Sequence, residues 1–333
     1  MIHRMRHFIL EIVGALFIGV LVLFFFQNNS LSLPSWDIAW SSEWLTVKTL
    51  FLSILLEAIP FVLLGVFFSA LIQTFVKDEH IRKWMPKSPM IAIPFATVLG
   101  FLFPVCECAI IPIIRRLIQK GMPVYVGMVF LLAGPIVNPV VLSSTYIAFQ
   151  RNPEMVWYRG GMAIAVASVI GLFVYLFVKQ SPLKIGADRE LRHEVQHYEA
   201  RSGGIGTTFH HAVDEFFDMG KYLIFGALLS ALVQAFVARD ALVSIGQTPL
   251  QAHVSMMGLA YLLSLCSEAD AFIAASFANS FSLSSLLAFL VFGPMIDLKN
   301  TLLLFSVFKA GFVVRIIALI TVLVLIITLT VPV

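Results

Sequence analysis

Charge is scarce in this sequence. Asp, Glu, Lys and Arg make up 12% of its 333 residues, against roughly a quarter in a soluble domain. A chain so poor in charge cannot solvate its whole surface, which excludes an ordinary soluble globular protein. The formal net charge of +3 is too small for the basic footprint of a nucleic-acid partner. Cysteine is scarce too. There are three, all inside apolar segments and two of them one residue apart, so no extracellular disulfide framework is expected. There is no Walker motif, nucleophile elbow or HExxH pattern, so nothing supports an ATP-driven pump or a membrane protease. Neither an enzyme nor a cofactor is expected.

Apolar length takes the place of charge. Hydrophobic residues make up 59% and the mean hydropathy is +0.94. Apolar stretches at 8–27, 46–76, 90–118, 122–149, 156–178, 212–238, 250–278, 283–307 and 309–331 reach or exceed the ~20 residues of a spanning helix. The expected fold is therefore an all-α polytopic membrane protein embedded in a lipid bilayer. The first stretch follows Arg4 and Arg6 and lacks a small-x-small cleavage site, so it is expected to be an uncleaved helix rather than a secretion signal. Residues 1–45 then form an N-terminal helix and external loop. The sizeable polar stretch, 179–211, is a cytoplasmic linker between 46–178 and 212–333. His193 and His197 in that linker fit a solvated helical face better than a metal site.

The two halves repeat. Phe61–Gly65 matches Tyr222–Gly226, and Ala70–Val76 matches Ala231–Val237. That offset sets Glu57 opposite Asp218. With one-residue slips Cys106 meets Cys266, Cys108 meets Glu268, and Asn138 meets Asp297. Colinear agreement at Gly, Gln, Cys and Gly-Pro indicates an internal duplication. Charge then orients the halves. If 90–118 and 250–278 enter and return as hairpins, only Lys48, Arg151, Arg159 and Arg239 fall outside, against 18 Lys and Arg on the cytoplasmic side. The positive-inside rule favours that arrangement. Three spans plus one hairpin per half makes the repeats inverted, with the N-terminus cytoplasmic and two re-entrant tips meeting near the midplane. Such broken backbone must be buried in protein or line a cavity.

Thiols and carboxylates at that depth are functional candidates. Cys106 and Cys108 can chelate a soft ion, Cys266 can add a third sulfur, and free cysteine is otherwise simply a small buried residue. Glu107, Glu268 and Asp270 add charge beside these thiols. Asn138 and Asp297 follow Gly-Pro breaks, where freed carbonyls and a polar side chain can bind solute or cap a kink. Asp297 and Lys299 can also form an ion pair. Glu57, in SILLEAIPFVLLG, and Asp218 are candidates for proton coupling. The arrangement fits a secondary transporter, with a non-transporting membrane subunit as the alternative.

Cys106-Glu-Cys108 leading to Pro112, then Lys120-Gly121 and Phe130-Leu-Leu-Ala-Gly-Pro-Ile-Val-Asn-Pro139, resembles the YraQ-type predicted permeases. The resemblance runs from about residue 46 to near the end, and that family includes the organoarsenical efflux permease. It implies a multi-pass permease of the bacterial cytoplasmic membrane, with Cys106, Cys108 and Asn138 at the matching motif positions. It also implies that a second small membrane protein can act as partner. Here Glu107 separates the cysteines, and Glu268 and Asp270 accompany Cys266. Those carboxylates favour a cation such as Zn(II) over a neutral organoarsenical.

Overall fold

Helix follows helix, and proline, a polar cap or a left-handed residue marks several of the boundaries. The structure, a computed structural model, describes residues 42–75, 88–103, 106–178, 181–183, 205–236 and 248–331, with a few isolated positions between 79 and 86. The expected helix at 8–27 and most of the 179–211 linker, including His193 and His197, lie outside the described residues, as does the side chain of Asp218.

Twelve main helices follow one another among the described residues. They are α1 (Ser42–Phe75), α2 (Pro89–Leu102), α3 (Glu107–Gln119), α4 (Val124–Val137), α5 (Pro139–Ala148) and α6 (Glu154–Phe177). The same series of lengths then recurs in α7 (Ile205–Phe236), α8 (Pro249–Leu263), α9 (Ser267–Ser276), α10 (Leu283–Met295), α11 (Leu298–Val307) and α12 (Ala310–Thr330). Among the described residues, six stretches are long and apolar enough to cross a membrane: 44–73, 124–148, 154–177, 219–236, 283–307 and 310–330. Three fall in each half. The segments expected as hairpins are each two short helices around a break, α2–α3 and α8–α9.

Two of the six spans are interrupted. At 138 the cause is Pro139, which has no N–H and holds the preceding residue extended. Asn138 sits at φ −56°, ψ 131° and its side chain accepts a bond from the Val140 N–H, capping α5. At 297 the chain is extended through Ile296 and Asp297, and Asp297 caps α11 by accepting from the Asn300 N–H at 2.5 Å. These broken spans form the core. In their apolar windows 78% and 89% of residues are buried, against 28% to 39% in the other four spans.

The halves interlock. Helix α1 packs on α7, α4 on α10 and α6 on α12, while α3 touches α11 and α9 touches α5. Small residues allow the closest crossings, as in helix pairs within membranes. A Cβ at Gly65 would lie 2.6 Å from the Ala109 Cα, and one at Gly100 would lie 2.6 Å from the Gly134 Cα.

Four of the cations counted in orienting the halves are buried inside the fold: Arg159 fully, and Arg115, Arg116 and Lys299 nearly so.

Gly65→Ala is expected to lower stability by about 1–3 kcal/mol, because α1 and α3 must separate. Gly161→Ala, which meets nothing within 4 Å, serves as control. Thermal unfolding of the detergent-solubilised protein reads both, and equal melting temperatures would refute the tight crossing.

Candidate functional site

Both cysteine-bearing breaks place a cysteine at a helix N-cap: Cys106 before α3 and Cys266 before α9. The first residue of each following helix is polar, Glu107 in α3 and Ser267 in α9. These two are bonded to each other, the Ser267 hydroxyl donating to the Glu107 carboxylate. The N-terminal ends of α3 and α9, 160 residues apart in sequence, therefore touch directly.

Helix α11 closes this junction. Asn300 Nδ2 donates to Glu107 Oε2 at 3.3 Å, and the Cys108 thiol donates to Asn300 Oδ1 at 3.9 Å. Lys299 Nζ lies 3.8 Å from the Asp297 carboxylate, so the expected ion pair is present. Lys299 also donates from its backbone to the Ser264 hydroxyl at 3.3 Å, and from Nζ to the Ser264 carbonyl at 3.5 Å. Ser264 itself ends α8 at φ +47°. Left-handed backbone at a residue other than glycine costs of order 1–3 kcal/mol and persists only where neighbours enforce it.

A cavity of about 220 Å³ opens at this junction. From α1 come Ile54, Glu57, Ala58 and Phe61, one helical stripe. The first hairpin contributes Cys106, Glu107 and Cys108, and the broken span beside it contributes Pro135, Asn138 and Val141. The second hairpin contributes Ser264, Cys266, Ser267 and Glu268, and α11 contributes Lys299. Glu57 and Cys266 thus line the same space from α1 and from the start of α9. Three of the lining residues are helix N-caps and Lys299 lies in the first turn of α11. Unpaired N–H groups and positive dipole ends thus converge here, offset by three carboxylates.

Of the residues singled out from sequence, Glu57, Cys106, Glu107, Cys108, Asn138, Cys266 and Glu268 line this one cavity. Asp270 and Asp297 do not. Asp297 is buried behind it as a helix cap, and Asp270 is buried on α9. All three cysteines are free. Among the described residues, however, no three or more His, Cys, Asp or Glu side chains gather as a metal-holding group. The thiols face a common space without forming a cage.

Sequence reasoning missed Ser264, Ser267, Asn300 and Arg159. The repeat offers a signal for Ser267, which occupies in α9 the position that Glu107 occupies in α3. Asn300 stands beside Lys299 in the first turn after a break, where polar side chains reach the core.

Comparison with known proteins now bears on the arrangement. A family described as a predicted permease matches residues 43–332. The chain belongs to this family of predicted permeases. It is 49% identical to the UPF0718 protein YcgR of Bacillus subtilis over 285 residues, covering 85% of this chain and 96% of that protein. It is 41% identical to a putative two-component membrane permease complex subunit of Streptococcus mutans, covering 82% of this chain and 91% of that protein. A UPF0718 protein of Methanocaldococcus jannaschii matches at 30% identity over 94 residues, 28% of this chain and 25% of that one. No solved structure matches. The chain is thus a multi-pass membrane protein of a permease family.

Asn300→Leu would strip Glu107 and Cys108 of a partner and leave a buried carboxylate short of a donor. The expected loss is about 2 kcal/mol, read as a lower unfolding midpoint in detergent. An unchanged midpoint would mean that the Asn300 bridge carries no weight.

Proposed function

We propose that this chain moves a small solute across the bacterial cytoplasmic membrane by alternating access around the junction of its two hairpins. The observation that carries this reading is a cavity lined from both halves at breaks in helices. Helix breaks at membrane depth free backbone groups for solute contact and are tolerated where they line such a space. In this reading the halves have inverted topology, each with three spans and one re-entrant hairpin, and the N-terminus is cytoplasmic. The doubled series of helix lengths and the pairing of α1 with α7, α4 with α10 and α6 with α12 support it.

The solute class we propose is a thiophilic metal ion or metalloid. Cys106, Cys108 and Cys266 supply soft sulfur, Glu107 and Glu268 supply negative charge, and Asn138 supplies an amide. Because the thiols are not gathered as a cage, solute binding would draw the two hairpin tips inward and so drive the change of access. Glu57, exposed partway along α1 and lining the cavity with Cys266, is the proposed proton carrier, with Asp218 as its counterpart in the second half. Asp270 and Asp297 would hold the breaks in shape.

A partner membrane protein is part of the proposal, supported by the Streptococcus mutans relative that is named as a two-component complex subunit. That name also keeps a second reading in view, a subunit that supports transport by its partner without carrying solute itself.

Flux of Zn(II), Cu(I) and trivalent arsenic into proteoliposomes tests both, with the chain alone and with the membrane protein that copurifies with it. Removing even outer-shell groups of a metal site costs about 10–100-fold, so Cys106→Ser with Cys266→Ser should cut flux at least that far. Flux that needs the partner and ignores both cysteines would favour the supporting subunit and overturn thiol ligation.

A further inference from the structure

Outside the cavity lies a second buried polar cluster that the proposed transport reading does not use. Arg159, on the second turn of α6, has no solvent exposure. Its Nη1 donates to the Thr145 hydroxyl of α5 at 2.7 Å, and its Nη2 donates to the Ser267 carbonyl at the start of α9 at 2.8 Å. Asp270, one turn further along α9 and 2% exposed, is a buried carboxylate whose charge acts on Arg159 without a hydrogen bond between the two, and its Oδ2 has no partner. The Asp270 carboxylate lies close against α10, since a Cβ at Gly293 would fall 3.1 Å from its Oδ2.

Burying a guanidinium is costly unless its charge and donors are matched. Here two of its donors are matched, one by the Thr145 hydroxyl and one by the Ser267 carbonyl of the second hairpin, while Nε has no hydrogen-bond partner. The Ser267 carbonyl is held by Arg159 from one side, and its hydroxyl is held by Glu107 from the other. With both groups fixed, the first turn of α9 cannot rotate. Cys266 and Glu268 flank Ser267 in sequence and line the cavity. Their direction therefore depends on a residue that is not among those lining it.

We propose that Arg159 is a positioning residue for the cavity, clamping the start of α9 through Ser267 and Thr145 so that Cys266 and Glu268 face the solute space, with Asp270 as its built-in counter-charge. The proposal rests on the cavity being the solute site. Its test reads the direction of Cys266 and involves no transport.

In full-length protein carrying Cys106→Ser and Cys108→Ser, Cys266 is the sole thiol. Its rate of modification by a small cationic methanethiosulfonate, followed by intact-mass spectrometry in proteoliposomes, reports whether it faces the cavity. Arg159→Gln should lower stability and change that rate by about tenfold or more, because an uncompensated buried charge remains and the clamp is gone. Adding Asp270→Asn should recover stability by removing the orphaned charge, while the rate stays altered because the bonds to Ser267 and Thr145 are still missing. Wild-type labelling in the stable Arg159→Gln/Asp270→Asn protein would overturn the proposal and reduce the pair to charge balance. If that protein does not fold, Thr145→Val loosens the guanidinium without burying a charge. A smaller shift in labelling then supports the clamp, and no shift rejects it. Altered labelling in a protein that carries no solute would sink the transport reading alone.

Discussion

The structure depends on how interrupted backbone is satisfied within a membrane. Hydrocarbon offers no hydrogen bonds, so each helix break must find its partners inside the protein. This chain gathers four of its helix starts, those of α3, α5, α9 and α11, around one junction. Asn138 and Asp297 cap α5 and α11 from within. Glu107 and Ser267 satisfy one another at the starts of α3 and α9. Lys299 and Arg159 reach the carbonyls of Ser264 and Ser267, on either side of the second hairpin's break. The polar groups that open these helices are thus answered by the helix's own backbone, by another such group or by a buried cation. The cavity is the space left where these groups meet.

Much of this was legible from sequence because the signals are strong and local. Long apolar runs marked all six spans, and the Cys-containing breaks interrupted two further apolar runs. The polar residues three after each Gly-Pro pair, Asn138 and Asp297, marked the interruptions; at 138 the break follows from Pro139, whereas Pro135 and Pro294 themselves lie within helices. Lining up the halves placed Cys106 with Cys266, and seven of the proposed site residues do line one cavity.

What sequence did not disclose depended on which way a side chain faces. Arg159 lies near the start of a span, where a positive charge ordinarily marks the membrane surface. Only the packing of α6 against α5 turns it inward. Ser267 and Asn300 carry no charge and stand beside more conspicuous neighbours. Asp270 drew attention as a ligand because it follows Cys266, yet a helical offset from Ser267 sets it against Arg159 and α10 instead. One turn of helix separates a lining residue from a supporting one, and apolar sequence on every side gives no phase by which to tell them apart.

The duplication is not chemically symmetric, and that asymmetry is informative. The corresponding early positions of α5 and α11 carry Val140 and Val141 in one half, and Lys299 and Asn300 in the other. Arg159 is buried, whereas Arg315, at the same position in α12, is exposed and donates to the Gly311 carbonyl. Glu107 and Ser267, by contrast, occupy matching positions in the two halves and are bonded to each other, which suits the contact on an axis that the proposed inverted repeat would have. If the halves exchange conformations, as proposed, such an on-axis bond can persist through the exchange. The bonds of Asn300 and Arg159 belong to one half only, so they cannot be mirrored. They would make one orientation of the cavity more stable than the other. A solute that neutralises the carboxylates around Glu107 would shift that balance by acting on the same groups, which is the differential interaction that any ligand-driven change of access requires.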